Sequence, residues 1–134
     1  MVFKRIAYIS TAATVPATEA FITLNLVNAS VSGSGTTATK VGDRSALNGG
    51  ILQVWNESAD RDTTVKLYYS MKEDPGALNS GDWIEYESVT ISANDGTTDG
   101  TSAILWGRPY KYLAVTASAA AETTSSLVLE LHTY

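Results

Sequence analysis

Two runs near the end of the chain, residues 109–117 and 126–134, carry aliphatic residues at alternate positions, at 113, 115 and 117 in the first and at 127, 129 and 131 in the second, and this period constrains the fold most strongly. Successive side chains of a β-strand point to opposite faces, so each run is predicted to be a strand with one buried face. Small and polar residues separate the two runs, which predicts an antiparallel hairpin. The residues expected to form its core layer are Leu113, Val115, Leu127, Leu129 and Leu131.

Similar short runs recur along the rest of the chain, separated by turn-forming residues, and no segment has a convincing helical period. We therefore predict an all-β fold: an antiparallel β-sandwich of about eight strands with a jelly-roll-like arrangement. The strands before the closing hairpin are expected at residues 3–9, 20–26, 51–56, 63–70, 82–92 and 102–106.

Two segments depart from this simple pattern. Within residues 82–92 the inward positions change phase, from Ile84 and Tyr86 to Val89 and Ile91, which predicts a β-bulge near residues 87–88 or two strands end to end. Residues 28–50 are rich in small residues and are expected to form either a flexible arm or a weakly patterned edge strand. We predict one domain over residues 1–134.

The charge of the chain is acidic and uneven. Residues 1–49 carry four cations and two anions, whereas residues 50–134 carry five cations and twelve anions, giving a net charge of −5. No basic patch is visible, so a nucleic-acid partner is not expected, and the acidity suits a basic partner surface. No apolar run approaches the ~20 residues of a membrane helix, so no membrane association is predicted.

Residues with catalytic or metal-binding chemistry are sparse. The chain has no cysteine and one histidine, His132, which shares the outward strand face with Glu130, so we expect no catalytic site, metal or cofactor. Glu85 and Glu87 lie two positions apart beside Trp83, an arrangement that would suit a sugar-binding platform or, less well, a glycosidase. The same pair also arises on any solvated strand face.

Aromatic side chains on the outward faces are candidates for a protein–protein contact, because tyrosine combines an apolar ring with a polar tip. Packing within the chain is the alternative for each of them. The candidate interface residues are Tyr110, Tyr112, His132 and Trp83.

From residue 63 onward the sequence resembles small β-sandwich virion proteins of tailed phages. The resemblance is carried by VKLYYS at 65–70, GDW at 81–83, PYKYLAV at 109–115 and the leucine-rich last strand. Such proteins are commonly capsid cement or decoration subunits, often trimeric, that bind over joints between major capsid proteins. The resemblance implies the same sandwich fold and a structural role on the outside of a capsid.

We therefore expect a non-enzymatic virion protein on the capsid exterior that binds across major capsid protein subunits, as a homo-oligomer with a trimer favoured. The alternative is a carbohydrate-binding module or a tail- or fibre-associated adhesion domain that uses exposed aromatic residues. Aromatic rings lined up in an open groove would favour the alternative, whereas rings buried in the sandwich would favour the cement protein.

Overall fold

The computed structural model describes residues 6–12, 15, 17–26, 37–38, 41–42, 50–56, 61–93, 101–106, 112–119 and 127–133. These residues form eleven strands and no helix, and none of them belongs to a helix that could cross a membrane. The strands are β1 (Ile6–Ala12), β2 (Ala20–Phe21), β3 (Leu24–Leu26), β4 (Thr37–Ala38), β5 (Val41–Gly42), β6 (Gly50–Asn56), β7 (Thr63–Ser70), β8 (Ile84–Ile91), β9 (Thr101–Trp106), β10 (Tyr112–Ala119) and β11 (Leu127–Thr133).

The strands form two antiparallel sheets. The first sheet has the order β4-β3-β1-β11-β6-β9, and the second has the order β2-β10-β7-β8, with β5 also pairing with β10. The all-β, antiparallel prediction is therefore confirmed. Eleven strands occur where about eight were predicted, because residues 20–42 contribute four short strands instead of one.

The core lies between the two sheets and draws residues from both. Along β6, and along β7 as far as Tyr68, buried and partly exposed positions alternate, as a strand with one buried face requires. Each fully buried aliphatic side chain stabilises the fold by about 1.5–3 kcal/mol relative to exposure. The largest fully buried side chains are Val15, Leu52, Val54, Leu67, Ile91, Leu113, Leu127, Leu129 and Leu131.

The predicted closing hairpin is wrong. Strand β10 pairs with β7, β2 and β5 in the second sheet, whereas β11 pairs with β1 and β6 in the first. The predicted core layer is nevertheless confirmed, since all five of its aliphatic residues are at most 1% exposed. These residues therefore meet across the core from opposite sheets, rather than side by side within one sheet.

The segment predicted as one strand over residues 20–26 is divided between the sheets. Residues Ala20–Phe21 pair with β10, and Leu24–Leu26 pair with β1. The crossing is fixed at Ile22, whose side chain is 6% exposed and whose backbone nitrogen donates to the Val115 oxygen at 2.8 Å. Within residues 28–50, β4 extends the first sheet beyond β3, and β5 lies on β10; the other residues of this stretch, apart from Gly50, lie outside the described residues.

A bulge interrupts the pairing of β7 with β8. Leu67 pairs with Glu87 and Tyr68 pairs with Glu85, so Tyr86 is the extra residue. The predicted bulge is therefore present, one residue earlier than expected, and it allows Tyr86 to pack against the core. Ile84 was predicted to point inward but is 54% exposed, because it opens a strand that pairs with β7 alone among the described strands.

Asn56, at the end of β6, ties the two sheets together. It is 2% exposed, and its Nδ2 donates to the backbone oxygens of Arg61 at 2.8 Å, Ile91 at 3.1 Å and Ser92 at 3.3 Å. Ile91 is the last residue of β8 in the other sheet. Carbonyl groups buried without a donor are costly, so this amide stabilises the contact between the sheets.

Candidate functional site

Trp83 and Phe21 span the outer face of the second sheet from its two edges. Trp83 immediately precedes β8, and Phe21 lies in β2 at the opposite edge, yet their ring centroids are 5.6 Å apart in an edge-to-face arrangement. Trp83 is 9% exposed, and its Nε1 donates to the Gly76 oxygen at 2.9 Å. Ala114 on the same outer face is fully buried, so the middle of this face is not open to solvent.

The loop between β7 and β8, residues 71–83, is organised around the Asp82 carboxylate. Its Oδ2 accepts the backbone N–H of Gly76 at 2.8 Å, and its Oδ1 pairs with the Lys72 ammonium at 2.9 Å. The Gly76 amide, followed by Lys72, lowers the pKa of Asp82 below its usual value. Gly81 has φ of 86°, a left-handed conformation that glycine adopts without strain. These bonds fix the loop that positions Trp83.

Glu19 joins the segment before β2 to the same outer face. Its Oε2 accepts hydrogen bonds from the Tyr68 hydroxyl at 2.7 Å and from the Thr116 hydroxyl at 2.5 Å. Thr116 is fully buried, and Tyr68 is half-buried. Burial first, and then the hydrogen bond to Glu19, raise the pKa of Tyr68 well above its ordinary value. Glu19 is the one charged residue between Arg5 and Lys40. This isolation in the sequence was the one feature that could have marked Glu19 as a hydrogen-bonding residue.

An open depression lies beside the bulge of β8. Its volume is ≈ 420 Å³, and the described residues that line it are Tyr69, Glu85, Tyr86 and Glu87. The Glu85 carboxylate pairs with the Lys66 ammonium at 3.2 Å. Glu87 is exposed and makes no ion pair or hydrogen bond through its side chain within the described part of the chain. The depression therefore combines two aromatic rings with one carboxylate that is paired with Lys66 and one that has no ionic partner among the described residues.

Among the four candidate interface residues, the three that the structure describes lie in different parts of the fold. Tyr112 is half-buried in β10 of the second sheet, where it pairs with Ser70 and Gly42. His132 lies in β11 of the first sheet, paired with Ala7 and Ile51. Trp83 is buried against Phe21, and Tyr110 lies outside the described residues.

The sugar platform predicted around Trp83 is not available in the form expected from the sequence. Stacking on a sugar requires an exposed ring face, whereas Trp83 is 9% exposed and its ring lies edge-to-face with that of Phe21. The bulge also changes the environment of the two carboxylates: Glu85 pairs across the sheet with Tyr68, and Glu87 pairs with Leu67. The tyrosines that accompany them, Tyr69 and Tyr86, were not singled out by the sequence.

Metal ligation adds no chemistry to the described part of the molecule. The described residues contain no group of three or more His, Cys, Asp or Glu side chains that could hold a metal ion.

Comparisons with known proteins found a weak structural similarity. No protein-family model matches the chain, and no curated protein matches it significantly. Among solved structures it is similar to the Yersinia pseudotuberculosis-derived mitogen, with 11% identity over 98% of this chain and 86% of that chain and a TM-score of 0.44. A similarity of this size supports no functional inference, and the resemblance to phage virion proteins stays a prediction.

Proposed function

We propose that this chain is a structural virion protein that cements or decorates the capsid of a tailed phage by binding across neighbouring major capsid protein subunits. One observation carries the proposal: three of the four segments behind the phage resemblance come together in the second sheet, whereas the fourth, the leucine-rich last strand β11, lies in the first. VKLYYS forms most of β7, GDW leads into β8, and the second half of PYKYLAV opens β10, which pairs with β7. Three of the four resembling segments are thus neighbours in one sheet rather than scattered matches.

The outer face of that sheet is held in a fixed shape, which suits a structural role. Glu19 anchors one side through Tyr68 and Thr116, and Trp83 closes the other against Phe21. A surface that is ordered before binding loses little conformational entropy when it docks. On the capsid exterior, a homo-oligomer, with a trimer favoured, would multiply such contacts by symmetry, so that many weak contacts give firm attachment.

We propose a jelly-roll arrangement for the sandwich. Support comes from the strand order when β2 and β5, which both lie on β10, are counted as one position. The order of the first sheet is then β1-β11-β6-β9, with β3 and β4 as an extension, and that of the second is β2/β5-β10-β7-β8. If these eight positions are numbered in chain order, the first sheet reads 1-8-3-6 and the second reads 2-7-4-5. Interleaving of early and late strands in both sheets is what two Greek keys produce.

Particle stability tests the cementing function. Particles of the virus that carries this gene are prepared with and without the chain, and genome release is followed by dye fluorescence during heating and at low salt. We expect the deficient particles to release their genome at a lower temperature, and purified chain added back to restore the complete behaviour. Heat-unfolded chain added in the same amount is the control. Equal release temperatures for deficient and complete particles, with no co-sedimentation of added chain, would refute the proposal.

A carbohydrate-binding or adhesion function is the second candidate, favoured by the two tyrosines in the depression beside β8. It ranks lower because Tyr69 and Tyr86 pack partly against the core and Trp83 is buried, which leaves few ring faces free for stacking. A glycan array is the discriminating measurement. Binding of a sugar that is lost in Tyr86→Ala, but kept in a variant of the other sheet such as Glu130→Gln, would reverse the order of the two candidates.

A further inference from the structure

We infer that the depression beside β8 receives an arginine or lysine side chain of a different protein rather than of a second copy of this chain; the identity of that partner as the capsid protein rests on the proposed function. The depression has a volume of ≈ 420 Å³ and is open to solvent, so a long side chain can enter it from an opposing surface. Its described lining consists only of tyrosines and glutamates, a composition that attracts cations.

The charges in the depression are arranged for one additional cation. Glu85 already has a cationic partner, since its carboxylate lies 3.2 Å from the Lys66 ammonium. Glu87 has no such partner within the described part of the chain. An arriving guanidinium or ammonium would therefore pair with Glu87, on the face of β8 that follows Leu67, while Glu85 stays paired with Lys66 on the face that follows Tyr68. The acidity of residues 50–134, with twelve anions against five cations, favours the approach of a basic surface from a distance.

The two tyrosines give the site a fixed apolar wall. Tyr69 and Tyr86 are partly buried and pack against the core, which restricts the motion of their rings. A cation within about 6 Å of a tyrosine ring is attracted by the negative face of the ring, and the aliphatic stem of arginine or lysine packs on the same surface. A sugar would bind these rings less tightly than a cation, because stacking needs a broad exposed ring face and both rings are half-buried.

The bulge favours a side-chain contact here over the addition of a partner strand. Strand β8 pairs only with β7 among the described strands, and edge strands of this kind invite pairing with another chain. The bulge at Tyr86 disrupts the regular spacing of backbone donors and acceptors, and flanking charges at Glu85 and Glu87 oppose close approach of a strand. What remains available for recognition is the chemistry of the side chains.

Binding of purified variants to particles that lack the chain tests the inference. Glu87→Gln removes the charge of the Glu87 carboxylate and should weaken binding roughly two- to fivefold per site, the range of an exposed ion pair, with a smaller salt dependence. Lys66→Gln releases Glu85 and should strengthen binding by a similar factor. Glu130→Gln makes the same charge change as Glu87→Gln but in β11 of the other sheet, and should bind as the unmodified chain does.

The outcomes separate this inference from the proposed function. One outcome is that the chain binds particles and that both Glu87→Gln and Lys66→Gln bind them as tightly as the unmodified chain. In that case the depression is not the contact, although the cementing function stands. If sedimentation shows that Glu87→Gln breaks only self-association, the occupant is a second copy and the inference is wrong.

If the chain does not bind particles, the proposed function fails, and N-acetyl-arginine amide decides the inference alone. Saturable NMR shifts at residues 85–87 that Glu87→Gln abolishes would support it. Absence of those shifts, or displacement of the probe by a neutral sugar, would overturn it.

Discussion

Replacement of Trp83 measures whether the outer face of the second sheet is a structural closure or a ligand platform. Trp83→Ala removes an indole that is 9% exposed, its hydrogen bond to the Gly76 oxygen and its contact with Phe21. Truncation of a buried tryptophan costs about 3–5 kcal/mol, of which a hydrogen bond contributes about 1 kcal/mol and an aromatic pair about 0.5–1.5 kcal/mol. Trp83→Phe keeps the ring contact and loses the hydrogen bond, so we expect a smaller loss of about 1–2 kcal/mol.

Urea unfolding followed by circular dichroism gives these free energies. With a slope near 2 kcal/mol/M, Trp83→Ala should lower the midpoint by about 1.5–2.5 M. The adjacent Ile84→Ala is a matched control: Ile84 is 54% exposed, so its truncation should change the free energy of unfolding by less than about 0.5 kcal/mol. A double-mutant cycle with Phe21→Ala should give a coupling of about 0.5–1.5 kcal/mol. A loss below about 1 kcal/mol in Trp83→Ala would show that the indole is not packed as described and would reopen its use as a binding platform.

Three further predictions concern charges and buried polar groups. The hydrogen bond from the Gly76 amide holds the pKa of Asp82 below its unfolded value. The contribution of Asp82 to stability is therefore present above about pH 4 and is lost as the pH falls through the folded pKa. Asp82→Asn should show a smaller loss of stability between about pH 5 and 2, read from urea midpoints. The raised pKa of Tyr68 contributes stability below its unfolded pKa near 10 that is lost at higher pH, and Tyr68→Phe or Glu19→Gln should reduce this alkaline loss in the same assay. Asn56→Asp places a carboxylate oxygen against three carbonyls, which should raise the pKa of the new group. The variant should therefore lose stability relative to the unmodified chain as the pH rises above about 4. If the difference in unfolding free energy between the two proteins is the same from about pH 3 to 7, the geometry at Asn56 is contradicted.

Alternation in the sequence predicted which side chains are buried but not which strands pair. Leu113 and Leu129 were correctly placed in the core because a period of two is a local property of one strand. The same pattern is satisfied whether β10 and β11 lie side by side or face each other across the core, so the predicted hairpin had no independent support. Likewise, Ile22 fits the alternation of residues 20–26 while the chain crosses between sheets at that position.

The outer-face contacts were beyond sequence reasoning for a different physical reason. Glu19 binds Tyr68 and Thr116, which are 49 and 97 residues away along the chain, and no local pattern encodes such a meeting. The bulge could be predicted, because it changes the phase of alternation within β8. Its consequence could not, since the depression forms only when Tyr69 of the neighbouring strand is brought beside Tyr86.

The bulge and the covered outer face together suggest how such a sheet could serve in attachment without causing aggregation. An exposed regular edge would pair with any available strand, whereas the bulged, acidic edge of β8 discourages that contact. The Trp83–Phe21 pair covers apolar area that would otherwise associate nonspecifically. Binding through this sheet then depends on charged and aromatic side chains, whose single contacts are weak and salt-sensitive. Only a partner that repeats the complementary surface many times, as a capsid lattice does, would convert those contacts into stable attachment.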